Sequence, residues 1–169
     1  IVLVITDISG STDSPQVLIF SNSGILKRSI PIVGKFFGGS APTLADLDSD
    51  GTLEILVQAD DALNVVRGDG TSFPGWPVEW GGGYWAGNSL PVVGDVDGDG
   101  FPDIVVTTQV EASSQNGVAR VFSRNGVSHP HFPKALPIGF GMVPAIADID
   151  SDGHNEVIIT GDFNNGQAG

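Results

Sequence analysis

Three nine-residue segments carry the residues with the clearest chemistry: Asp46-Leu47-Asp48-Ser49-Asp50-Gly51-Thr52-Leu53-Glu54, Asp95-Val96-Asp97-Gly98-Asp99-Gly100-Phe101-Pro102-Asp103 and Asp148-Ile149-Asp150-Ser151-Asp152-Gly153-His154-Asn155-Glu156. Each places carboxylates at positions 1, 3, 5 and 9 and glycine at position 6. That pattern lets one short loop wrap oxygen atoms around a hard cation. Four carboxylates so close together repel one another unless a cation sits among them. An all-oxygen, flexible set suits calcium better than magnesium, which demands a tighter octahedron and keeps its waters. The expected metal ligands are therefore Asp46, Asp48, Asp50 and Glu54, then Asp95, Asp97, Asp99 and Asp103, then Asp148, Asp150, Asp152 and Glu156, holding about three Ca2+ ions.

An EF-hand is the competing reading of Asp-x-Asp-x-Asp-Gly, and it needs a glutamate at position 12 between two helices. Position 12 is Val57, Val106 or Ile159, each inside a β-rich run, so that reading fails. Turn-capping aspartates are the bland alternative, and threefold repetition in register argues against it.

The three loops hold four carboxylates each, so 12 of the 20 acidic residues lie in them, and three calcium ions would bring the formal charge from −13 to −7. The acidity is mostly a metal-site property. With only seven Lys and Arg, no basic patch is available for nucleic acid or an anionic membrane, and no membrane-inserting run is visible. The absence of cysteine excludes a thiol nucleophile or thiolate metal site. No Gly-x-Ser-x-Gly elbow, zinc-hydrolase helix motif or phosphate-binding loop appears, so no catalytic residue is expected. His129 and His131 flank Pro130 and read as surface-turn residues rather than a metal pair.

The elements that must position these loops follow from their spacing. Asp46 to Asp95 is 49 residues and Asp95 to Asp148 is 53, a period that points to repeat architecture. After each loop comes a short apolar run rich in β-branched residues: Ile55-Leu56-Val57-Gln58, Ile104-Val105-Val106-Thr107 and Val157-Ile158-Ile159-Thr160, with Ile1-Val2-Leu3-Val4 of the same character. A second strand follows at Gln16–Phe20, Ala62–Val66 and Val118–Phe122, each running into a turn carrying Gly24, Gly70 or Gly126. Pro31, Pro77 and Pro137 are expected to open a further short segment, before links at Gly38-Gly39, Gly87 and Gly141. No helical apolar period is sustained, and 24 glycines with 11 prolines leave little room for long helices.

The expected fold is all-β: β-propeller blades of four antiparallel strands in an incomplete ring, about three to four blades' worth. Residues 1–40 form a partial blade after a missing acidic loop, 41–88 and 89–141 are blades, and 142–169 is a partial blade, all in one propeller domain. The first residue is expected to lie inside a repeat, and the closing segment Gly161–Gly169 to stop within one.

These features resemble the FG-GAP or VCBS-type repeats of integrin-like β-propellers, found in integrin α-chain head domains and in many secreted bacterial proteins. The resemblance rests on the three acidic loops in register and on Phe-Gly pairs at Phe37-Gly38 and Phe140-Gly141; the second unit has Trp85-Ala86-Gly87 instead. The Gly-Ala-Pro element is absent after every loop, so the chain is more similar to the bacterial variety. The resemblance implies that the backbone carbonyls of Thr52, Phe101 and His154 complete the three calcium sets. It also implies a secreted or cell-surface module for adhesion, or for recognition of an extracellular protein or glycan, joined by further blades of the same parent chain. The alternative is a non-catalytic ancillary region of a secreted peptidase or polysaccharide-degrading enzyme. Calcium loops of this kind suit millimolar extracellular levels.

Two further motifs suggest binding. Arg67-Gly68-Asp69 is the tripeptide integrins recognise, but it aligns with hairpin-turn residues of neighbouring units. Trp76, Trp80, Tyr84 and Trp85 surround Gly81-Gly82-Gly83; Gly75-Trp76-Pro77 reads as inter-blade core, and the other three aromatics have no assigned role.

Overall fold

The computed structural model describes residues 2–5, 15–36, 41–86, 89–110, 113–137 and 143–161. The Phe37-Gly38 and Phe140-Gly141 pairs, Gly87 and the closing segment after Gly161 lie outside these residues. Among the described residues there is no helix, and so none long and apolar enough to cross a membrane. The described residues are all-β and propeller-like, built of small antiparallel sheets, and no closed barrel forms among them.

Strands β1 (Val2–Ile5), β2 (Gln16–Phe20) and β3 (Leu26–Pro31) form the first sheet. The second joins β4 (Thr43–Ala45), β5 (Glu54–Gln58), β6 (Ala62–Val66) and β7 (Val78–Glu79) in that order. In the third, β9 (Val92–Gly94), β10 (Asp103–Val110), β11 (Ser113–Ser123) and β12 (Lys134–Leu136) repeat this meander, with β8 (Tyr84–Trp85) added against the far end of β10. The fourth pairs β13 (Ala145–Ala147) with β14 (Glu156–Ile158). Each acidic loop is thus the hairpin connection between the first two strands of a sheet.

Why the post-loop runs read as continuously apolar is clear from what covers them. Every residue of β5 is buried, because sheets pack on both of its faces. Ile55 and Val57 point to Val17, Ile30 and Ile32 of the first sheet and its tail, whereas Leu56 points to Ile104 and Val106 of the third. The side-chain period of two therefore splits one strand between two cores. Leu47, at position 2 of the first loop, is fully buried in the second of these cores with Phe73, Trp76 and Phe122. Burying such a side chain stabilises the fold by about 1.5–3 kcal/mol.

Polar groups fasten each sheet to the next. Asn64 on β6 donates to the Val33 carbonyl at 2.8 Å and accepts from the Val33 N–H at 3.0 Å, acting as a strand edge would. Gln58 donates to the Thr107 carbonyl at 2.6 Å, and Trp76 donates through Nε1 to the Arg124 carbonyl at 2.8 Å. Satisfied polar contacts of this kind fix the stacking register, since leaving either partner buried and unpaired costs about 1–3 kcal/mol.

One sequence expectation is corrected. Pro31 ends β3 instead of opening a segment, and Pro137 lies beyond β12. The partner of Pro77 is Pro133: Trp76-Pro77 and Phe132-Pro133 are both cis, and the Trp76 and Phe132 amides donate to the carbonyls of Phe73 and His129 respectively. Counted from the turn glycine, Pro133 follows Gly126 by seven residues as Pro77 follows Gly70, whereas Pro137 follows it by eleven, so the spacing itself marks Pro133.

The unassigned aromatics find their roles here. Trp80 donates to the Asp60 carbonyl at 2.8 Å and stacks on Phe122, with centroids 6.4 Å apart. Arg120, only 6% exposed, lies over both the Trp80 and Tyr84 rings at 4.6 Å. Trp85 keeps 38% of its surface exposed.

Candidate metal centre

All three acidic loops use one hydrogen-bond scheme. The position 1 carboxylate accepts the position 6 amide: Asp46 from Gly51 at 2.9 Å, Asp95 from Gly100 at 2.9 Å, and Asp148 from Gly153 at 3.0 Å. The position 5 carboxylate accepts the position 7 amide: Asp50 from Thr52 at 2.6 Å, Asp99 from Phe101 at 2.8 Å, and Asp152 from His154 at 2.8 Å. The position 9 carboxylate reaches back to the position 2 amide: Glu54 to Leu47 at 2.9 Å, Asp103 to Val96 at 2.8 Å, and Glu156 to Ile149 at 2.9 Å. The backbone thereby aims several carboxylates at a common point before any cation arrives.

That path requires left-handed backbone at two places. Position 6 has φ of +85°, +85° and +92° at Gly51, Gly100 and Gly153. Position 4 is also left-handed, at Ser49 (+61°), Gly98 (+77°) and Ser151 (+64°), a constraint the residue types alone did not reveal.

Ligand-capable atoms of Asp46, Asp48 and Asp50 lie within 4.8 Å of one another, as do those of Asp95, Asp97 and Asp99, and of Asp148, Asp150 and Glu156. In the first loop, Glu54 is fully buried, and its Oε1, like Asp48 Oδ1, is buried without a hydrogen-bond partner. Burial pushes the Glu54 carboxyl up from its ordinary range; the Leu47 amide and Arg67 pull it down, and Asp48 and Asp50 push it up further. An anionic oxygen in such a place is costly unless a positive charge joins it. The donor set, all oxygen with two orphaned buried atoms, fits a calcium ion.

Three residues make contacts with the loops that their sequence positions did not announce: Arg67 and His129 from outside, and Asn155 from within the third loop. Arg67 contacts Asp48 at 3.4 Å and lies over the Phe73 ring at 4.8 Å, so the arginine of the Arg-Gly-Asp tripeptide is turned into the first loop. Asn155 donates to the Asp95 carbonyl at 2.6 Å, joining the third loop to the second. His129 lies against the second loop, its Nε2 2.9 Å from Asp103 Oδ1 and its Nδ1 3.9 Å from Asp97 Oδ2. The only advance signal for His129 was its alignment beside Phe73, where an apolar residue stands in the preceding unit.

Residues 46–106 match the model of an FG-GAP-like repeat, which supports an FG-GAP-type repeat spanning the first loop, its sheet and the second loop. No curated protein matches the chain. Among solved structures, the crystal structure of the V. cholerae biofilm matrix protein Bap1 is similar at 16% identity and a TM-score of 0.38, over 94% of this chain and 34% of that one. The chain thus spans about a third of that protein's length.

Proposed function

We propose that the chain is a calcium-stabilised, non-catalytic module of an extracellular protein, serving adhesion or recognition of a protein or glycan. The observation that carries the calcium reading is the pair of buried, unpartnered oxygens, Asp48 Oδ1 and Glu54 Oε1, in a loop whose remaining carboxylates are already steered by backbone amides. The side chains at positions 1, 3, 5 and 9 would hold the ion, with the carbonyl of Thr52, and the corresponding Phe101 and His154 carbonyls in the other loops. Bound calcium supplies the charge that lets these carboxylates share one site. It adds to folding free energy because the unfolded chain has no such site.

The extracellular reading draws on the FG-GAP-type repeat at 46–106 and on the calcium levels such loops need. The same repeat type is non-catalytic. Further blades as partners are favoured by Ile149, which occupies the position of the buried Leu47 in its own loop yet is 66% exposed.

Thermal unfolding in chelator, across a calcium titration and with magnesium as control, tests the metal reading. A calcium-specific rise in Tm is expected. Equal Tm in calcium, magnesium and chelator would sink it. Binding screens against glycans and extracellular proteins, run with calcium and with chelator, test recognition; calcium-independent absence of any ligand would count against it.

A further inference from the structure

The second loop differs from the first in two linked ways. Its position 9 residue is Asp103 instead of a glutamate, one methylene shorter, and the residue facing it is His129, where the preceding unit has Phe73. The equivalence is structural: the Phe73 amide donates to the Val65 carbonyl, and the His129 amide donates to the Val121 carbonyl, at the same point of the β6 and β11 hairpins. Glu54 keeps one buried oxygen without a partner, whereas Asp103 Oδ1 is met by the imidazole at 2.9 Å. The atom that the first loop leaves for a hard cation is thus shared with a nitrogen ligand in the second.

We infer that the second loop is a mixed nitrogen–oxygen site for a borderline divalent transition-metal ion of the zinc class, held by Asp97, Asp103 and His129. Ligand-capable atoms of these three side chains lie within 4.8 Å of one another. The imidazole faces Asp103 Oδ1 with Nε2 at 2.9 Å and Asp97 Oδ2 with Nδ1 at 3.9 Å; one ion takes only one of these nitrogens, and drawing the three ligand atoms in to the roughly 3.3 Å spacing of a tetrahedral ion with bonds of about 2.0–2.1 Å needs a shift of the exposed Asp97 side chain. Imidazole suits zinc, nickel or copper and adds little to calcium, which prefers six to eight oxygens. Asp103 and His129 are both largely buried, so their geometry is set by packing.

Access and a fourth ligand are provided for. A cleft of about 160 Å³, lined by Asp97, Ser123, Val127, Ser128, His129 and Pro130, opens directly beside the imidazole. Water entering there completes a three-residue site. Binding replaces the His129–Asp103 hydrogen bond by bonds to the ion, with a neutral imidazole as donor and any displaced proton released to solvent. The inference rests on the proposed function in treating residues 95–103 as a metal loop, and it replaces calcium in that one loop, because Asp97 and Asp103 cannot serve both ions at once.

The test is calorimetric zinc titration of the whole chain in saturating calcium, repeated with cobalt followed by visible absorption. Unsubstituted protein is expected to take up one zinc with a cobalt spectrum of nitrogen–oxygen type. His129→Phe, which restores the residue of the preceding unit, should weaken zinc at least tenfold and leave the calcium-induced rise in Tm from the other loops intact. His131→Ala should change nothing. Unaltered zinc affinity in His129→Phe, or loss in His131→Ala, overturns the assignment. Histidine ring NMR of the unsubstituted protein gives a second readout: zinc must shift the His129 signals first, and zinc that leaves them in place refutes the site even if the variant does not fold. Zinc binding without any calcium response would instead overturn the calcium reading alone.

Discussion

Asn155, from the third acidic loop, donates its side-chain amide to the backbone carbonyl of Asp95, the first residue of the second loop, at 2.6 Å. Position 8 is Leu53 in the first loop and Pro102 in the second, neither of which can donate in this way. The two later loops are therefore joined and the two earlier ones are not. Asn155→Ala should cost about 1 kcal/mol, seen as a fall in Tm of roughly 2–4 °C. It should also loosen metal binding at the second loop without touching the first, which residue-resolved NMR during a metal titration would report. An unchanged second loop would show the contact to be incidental.

Glu54→Gln should have opposite effects with and without calcium. Burial holds the folded pKa of Glu54 above its ordinary value of 4.5, so the folded chain binds this proton more tightly than the unfolded chain does. Its contribution to metal-free stability is present below the unfolded pKa and is lost as pH rises through the folded one. In chelator at neutral pH the substitution should therefore leave stability unchanged or higher, and should flatten the decline in stability with rising pH. In calcium it should weaken the first site about tenfold or more, near 1.4 kcal/mol. Denaturant unfolding from pH 4 to 7, with calcium and with chelator, measures both.

Asp69 should titrate below the ordinary carboxylate range, because Thr71 donates to it through both its hydroxyl, at 2.7 Å, and its amide, at 2.9 Å. Carbon-detected NMR of the Asp69 carboxyl across acidic pH checks this. Thr71→Val should return the midpoint toward the ordinary value.

Arg120→Lys should destabilise by about 2 kcal/mol or more, although charge is retained. The guanidinium carbon lies 4.6 Å from the centroids of both the Trp80 and Tyr84 rings while Nη1 donates to Thr108 Oγ1 at 2.7 Å, and an ammonium cannot do both. Urea unfolding followed by tryptophan fluorescence would detect the loss.

Strand location was legible because β5 and β10 are covered on both faces and so read as unbroken apolar runs between turn signals; β2 and β6 matched the expected bounds at Gln16–Phe20 and Ala62–Val66. The carboxylates of the loops were legible because their chemistry and spacing are local. What escaped was the non-local part. No pattern announces that Asn155 reaches Asp95 or that His129 meets Asp103, since those contacts arise only when sheets stack. The proline was legible too: Pro133, not Pro137, keeps the seven-residue offset from its turn glycine that Pro77 has, and it occupies the equivalent turn. Position 4 of the first and third loops escaped differently, because Ser49 and Ser151 hide a left-handed backbone that only Gly98, in the second loop, advertises.

Gly75 and Gly126 meet where the turn before β7 touches the β11 hairpin. A Cβ on Gly75 would stand 2.0 Å from the Asn125 carbonyl oxygen, and one on Gly126 would stand 2.6 Å from that of Gly75. Gly75→Ala should therefore cost about 3 kcal/mol or more, against about 1 kcal/mol for Gly24→Ala, where nothing lies within 4 Å. For anyone recombining such repeats, the two glycines behave as a matched lock and key shared between neighbours. A unit moved elsewhere in an array carries only half of the fit, so these sheets are interchangeable in outline and particular in their seams.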